Sequence, residues 1–148
     1  MPDHIRQRLA DAIATACASL TTTGSNVFQG RTTPVPRESM PALLIFANGG
    51  TSGFGSMGTA SRPMDWTETI TVRGLVALAA TDPERTLNTI AAEVQAALMA
   101  TETLGGLART LELVRTTLDQ RVEGEWREGM IEMVWQIEAS TPSNDATA

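Results

Sequence analysis

The regular segments of this chain are mostly apolar along one side only, at helical spacing in two places and at strand spacing in several, and that one-sidedness limits what it can fold into. In residues 4–22, Ile5, Leu9, Ala12, Ile13, Ala16 and Leu20 recur at the spacing of one helical face, while Arg6, Arg8 and Asp11 fall largely elsewhere. Leu87, Ile90, Val94 and Leu98 repeat the pattern behind Asp82-Pro83-Glu84. That tripeptide is a helix start, with a capping carboxylate, a proline in the first turn and an acid at the positive end of the dipole. From Asp65 to Ala79 the period is two: Trp66, Ile70, Val72, Val76 and Leu78 share one face, and Thr67, Thr69, Thr71 and Arg73 the other. Residues 109–118 form a further strand, with Leu111 and Leu113 opposed to Glu112 and Val114. In residues 126–139, Ile131, Met133, Trp135 and Ile137 alternate against Glu132, Gln136 and Glu138. These faces satisfy one another if both helices pack on a single face of a mainly antiparallel or mixed sheet. The expected fold is therefore an α+β two-layer sandwich in the order α-β-β-β-α-β-β.

The remaining segments carry less pattern. Thr21-Thr22-Thr23-Gly24 should stop the first helix, and Val27-Phe28-Gln29 reads as a short strand, with Gly30 marking a bulge or close approach. Pro34, Pro36 and Pro41 predict an extended surface run over residues 32–41. The continuous apolar run 42–47 fits a strand buried on both faces or one flanked by a partner chain. Residues 48–63 contain Gly49, Gly50, Gly53, Gly55 and Gly58 among Ser and Thr, which predicts a flexible loop. Gly105-Gly106 ends the second helical region, and a turn is expected from Asp119 to Gly124. The organisation expected is one domain over residues 1–140 and a disordered polar tail over 141–148.

Composition narrows the chemistry. At 148 residues, with 42% hydrophobic and 19% charged, the chain is of ordinary globular make-up. Cys17 is the only cysteine, so an internal disulfide is impossible, and its place on an apolar helix face predicts a buried small hydrophobe. Charged residues at Asp3, Arg6, Arg8 and Asp11, and no apolar stretch of spanning length, lead us to expect cytosolic synthesis and no membrane partner. His4 is the only histidine and lies near a terminus, which leaves nucleophilic triads without a base and zinc without a shell. The glycines of 49–58 are not followed by Gly-Lys-Ser/Thr and do not lead into a helix, so they fit neither a phosphate loop nor a dinucleotide fingerprint. Glu123 and Glu125 are read as solvated acids of a turn. No catalytic residue, metal or cofactor is expected. Residues 1–81 hold six arginines against five acids, net +1, and residues 82–148 five against twelve, net −7. Phosphate-backbone binding as the main task is disfavoured by that balance. The bland reading is an exposed face solvated by acids; the alternative is a surface past which DNA slides without sticking.

One family resemblance covers nearly the whole chain. Val27-Phe28-Gln29-Gly30-Arg31 with Pro34, and Met40-Pro41-Ala42-Leu43-Leu44-Ile45-Phe46, resemble the first two strands of the tail terminators of long-tailed bacteriophages, also called minor tail protein U or tail-to-head joining proteins. Arg62-Pro63 into Trp66 to Leu78 resembles their long third strand, Asp82 to Leu98 their second helix, and Gly129 to Ala139 their closing strand. The resemblance implies a non-enzymatic virion protein, made in the host cytoplasm, that forms a hexameric ring on the head-proximal end of the tail tube. It would stop tube polymerisation and present a surface to the head connector or stopper, with DNA passing through the ring unbound. On this reading Phe54, Met57, Arg62, Ala42, Leu44 and Phe46 are candidate contact residues, and Asp119, Glu123, Glu125 and Glu128 candidate acids of the lumen or rim. The alternatives are another neck or head-completion protein and a small-ligand-binding α+β domain.

Overall fold

The computed structural model describes residues 4–54, 63–77, 82–101, 103–123 and 126–142. Helices α1 (Ile5–Ala16) and α2 (Pro83–Ala100) lie on one face of a five-stranded mixed sheet. The strands are β1 (Val27–Gln29), β2 (Ala42–Phe54), β3 (Pro63–Ala77), β4 (Thr110–Glu123) and β5 (Trp126–Pro142), and a 3-10 turn, Arg37–Ser39, precedes β2. Across the sheet they run β1-β2-β3-β5-β4, with β1 parallel to β2 and every other pair antiparallel. This is the expected α+β two-layer sandwich.

The core is the layer between helices and sheet. α1 contributes Ile5, Leu9, Ala10 and Ile13, and α2 contributes Leu87, Ile90, Val94 and Leu98. Leu43, Ile45, Ile70, Val72, Val76, Ile131, Met133, Trp135 and Ile137 meet them from the sheet. At every second β3–β5 pair, such as Val72 opposite Met133 and Ile70 opposite Trp135, both side chains point to the helices, so the two-residue period of each strand reinforces the other. α2 starts as expected: the Asp82 carboxylate accepts from the Arg85 N–H at 3.2 Å and Pro83 occupies the first turn. Cys17 closes α1, fully buried. The helical pattern extending to Leu20 is cut short at Ala16, and Leu20 instead bridges Gly24.

Four expectations are corrected. The glycine-rich stretch is not a loop from residue 48: β2 continues to Phe54 and pairs with β3 throughout. Its glycines serve the sheet. A bulge lies between Ala47 and Gly49, Gly49 takes φ 97°, and a Cβ on Gly50 would run into the Thr67 carbonyl oxygen. Residues 55–62 lie outside the described residues. The 32–41 segment is not wholly a surface run, because Val35 is 1% exposed and seals a second, smaller cluster with Ala42, Leu44 and Leu75 on the sheet face away from the helices. The chain itself thus buries both faces of this strand over residues 42–45: Leu43 and Ile45 on one side, Ala42 and Leu44 on the other. The turn expected from Asp119 to Gly124 is strand as far as Glu123, with Asp119 paired to Met130. Finally, residues 141 and 142 are not tail but the end of β5, where Thr141 is buried and its Oγ1 accepts from Trp66 Nε1 at 2.9 Å; residues 143–148 lie outside the described residues.

Candidate interaction surface

The sheet face opposite the helices is divided by the chain's own packing. At one end the 31–35 segment lies over it. The Arg31 guanidinium donates to the Thr33 and Pro34 carbonyls at 3.1 and 3.2 Å and sits 4.7 Å from the centre of the Phe28 ring, holding that segment in place. Between the segment and the sheet is a cleft of about 380 Å³ with an apolar floor that includes Val35, Leu44, Leu75 and Met130. Arg31 and Arg73 stand on its wall, and so do Asp119 and Glu128.

Beyond the cleft the face is open and charged. Arg73 donates to Glu132 at 2.8 Å and lies 5.3 Å from the Phe46 ring centre, while Arg115 approaches the same carboxylate at 3.8 Å. Arg109 stands 3.7 Å from both Asp65 and Glu138. These are partly exposed pairs, each worth about 0.2–1 kcal/mol, so their main effect is to set which charges the face presents. The Asn48 amide, at the bulge, donates to Thr71 Oγ1. Glu132 is flanked by two arginines because the β3 and β4 residues opposite and next to it on β5 point the same way.

Three of the six contact residues expected from sequence meet in the second cluster. Ala42 and Leu44 are buried in the second cluster, Phe46 is half-buried beneath Arg73, and Phe54 ends β2; Met57 and Arg62 lie outside the described residues. Of the four acids, Asp119 is exposed on β4, and Glu123 lies at the end of that strand. Glu125 is outside the described residues. Glu128 is 6% exposed and turned into the cleft, so it does not share the solvated setting expected of it.

Sequence reasoning missed an ion pair on the helix side, its carboxylate buried and its arginine 38% exposed. Glu68 is fully buried among the core-facing residues of β3, and Arg6 on α1 grips it with Nε to Oε2 at 2.8 Å and an η-nitrogen to Oε1 at 3.2 Å. The hydrogen bond to this carboxylate raises the Arg6 pKa above its ordinary value. The signal was present in the alternation, since position 68 lies in phase with Trp66 and Ile70. His4 caps α1, its Nδ1 accepting from the Arg6 N–H at 3.1 Å, and its ring meets Trp66 edge-on at 5.0 Å. Burial pushes the Cys17 thiol up to about 11. Among the described residues no group of three or more His, Cys, Asp or Glu side chains is gathered as a metal shell, and no helix is long and apolar enough to cross a membrane.

Scans against protein-family models and against curated proteins return no match. Solved structures are similar, two of them over most of this chain. One is a chain of the virion of a native gene transfer agent particle, 17% identical with a TM-score of 0.42, covering 93% of this chain and 92% of that one. The other bears no functional description; it is 17% identical with a TM-score of 0.41 and covers 88% of each chain.

Proposed function

We propose that this chain is a structural virion protein, a tail terminator that closes the head-proximal end of a tail tube as a hexameric ring and offers its other side to the head connector or stopper protein. Its partners on this reading are further copies of itself, the tube protein and the neck protein, with DNA passing through unbound. The reading rests first on the sequence resemblance to tail terminators, and the observation that carries it is the polarity of the sheet. In the β3–β5 register Pro63 pairs with Pro142 and Ala77 with Glu128. The β2–β3 hairpin therefore ends at one pole, beyond Phe54 and Pro63, and the β4–β5 hairpin at the other, beyond Glu123 and Trp126. At ~3.3 Å per residue, the 17-residue β5 puts those poles about 50 Å apart. A ring subunit that touches a tube on one side and a connector on the other needs two such separated ends.

The test is to add the purified protein to growing tail tubes and image their ends. Sixfold rings at one end, with tube growth arrested, are expected; rings of another symmetry, or tubes whose growth is unaffected, would overturn the reading. Another neck or head-completion protein would join to the connector without arresting the tube. The cleft under residues 31–35, with its apolar floor and charged wall, favours small-ligand binding as a second reading. A metabolite panel read by thermal shift, with a hit abolished by Leu75→Trp, would support that reading.

A further inference from the structure

We propose that successive copies of this chain join head to tail, the α2/β4 flank of one seated on the α1/β1 flank of the next; the inference rests on the ring reading above and adds the surface that makes the ring. Three observations carry it. First, the helices leave the β4 flank incompletely covered. α1 lies across β1 and β2, and α2 across β3 and β5. On β4, Val114 and Leu118 are each 47% exposed, and Leu118 stands beside Leu87 and Pro83 at the rim of an open cleft of about 400 Å³. Leu118 pairs with the core residue Ile131, so it points to the helix side of the sheet, where the start of α2 covers it only in part.

Secondly, the opposite flank offers a groove. Between α1 and β1 lies an open depression of about 420 Å³ lined by Ala14, Thr15, Ala18, Ser25 and Val27, whose small side chains leave room for a branched apolar one, together with Asp11 and Gln29. Thirdly, charge selects the pairing. Residues 1–81, net +1, build α1 and β1 to β3, while residues 82–148, net −7, build α2, β4 and β5. The sheet order thus sets the near-neutral half on one lateral side and the acidic half on the other. An isologous contact through β4 would oppose two acidic flanks, whereas a head-to-tail contact opposes unlike ones. Contacts of that kind close into rings when the rotation between copies allows.

Leu118→Arg spoils one flank and Ala18→Arg the other; both positions are surface-exposed, and circular dichroism with a thermal melt establishes that each variant folds. Should Leu118→Arg unfold, Leu118→Gln takes its place. Sedimentation velocity over a concentration series is expected to show the parent associating and each variant weakened at least tenfold. An equimolar mixture of the two variants should form a dimer and go no further, because it contains only one intact pair of flanks. Parent-like association of either variant, or a mixture that stays monomeric, overturns the proposed flanks. If the variants associate like the parent and all three still cap tail tubes as sixfold rings, only the surface is wrong. A parent that neither associates nor caps tubes overturns both this surface and the ring reading.

Discussion

Glu68 is a carboxylate inside an apolar sheet face, tolerable there because Arg6 supplies two hydrogen bonds from the first turn of α1. Arg6→Ala would leave that carboxylate without its cation and, with the arginine itself 38% exposed so that water partly replaces it, should cost about 2–3 kcal/mol. Glu68→Gln keeps a hydrogen-bonding group in place and should cost less, about 1–2 kcal/mol. Urea titration of both variants checks the order, and the reverse order would mean that the pair is not what ties α1 to the sheet. Cys17 gives the pH dependence. Its folded pKa, about 11, lies above the ordinary 9.0, so the unfolded chain loses its proton first. The contribution is complete below pH 9 and declines from there to pH 11, by on the order of 2 kcal/mol. Cys17→Ala should flatten that alkaline decline, as measured by denaturant midpoints from pH 8 to 11. The native thiol should also resist a disulfide reagent at pH 8, reacting only as the chain opens. Burial of Cys17 was legible from its place on an apolar helix face. The Arg6–Glu68 partnership was not, because residues far apart in sequence meet only once the helix lies on the sheet.

At the scale of elements, α2 and its start were legible because cap, proline and apolar spacing agreed. Asp82 also takes a positive φ of 52°, so Asp82→Ala loses the cap acceptor in an unfavourable backbone region and should cost about 1–2 kcal/mol, while Asp82→Gly should cost only a few tenths. Strand β2 was half legible. Its apolar beginning was evident, but the glycines after it looked like loop, since composition records what glycine lacks and not which backbone approaches it. Gly74 makes the same point on β3: a Cβ there would stand 2.9 Å from Ile90 Cγ2 and 3.0 Å from Ile131 Cγ2, so helix α2 settles where no side chain intervenes. Gly74→Ala should therefore destabilise by about 1–3 kcal/mol through overpacking. A melt unchanged from the parent would show that α2 can shift without penalty.

For the molecule as a whole, the acids of the second half are the feature most open to a functional test. Glu128 is buried in the cleft, so reversing it would damage packing and confuse the result. Asp119→Arg, Glu123→Arg and Glu125→Arg together leave it alone. If these positions rim the DNA path and lie off the contact between copies, the triple variant should fold, limit tail length and eject DNA more slowly, scored by melt, micrographs and an ejection time course; ejection at the parental rate would place them on an outer surface, and lost length control at the contact between copies. Sequence alone determined that two one-sided helices cover one face of a sheet, because periodicity is local and each apolar face had to be buried against something. It also determined the element order, since the strand and helix signals followed one another along the chain. Only the tertiary structure decided that Val35 folds back over Leu44 and Leu75, that glycines 49 and 50 extend a hairpin, and that the two hairpins end at opposite poles. Those outcomes depend on strand register and on contacts between distant residues, whose free energies arise only when the layers meet.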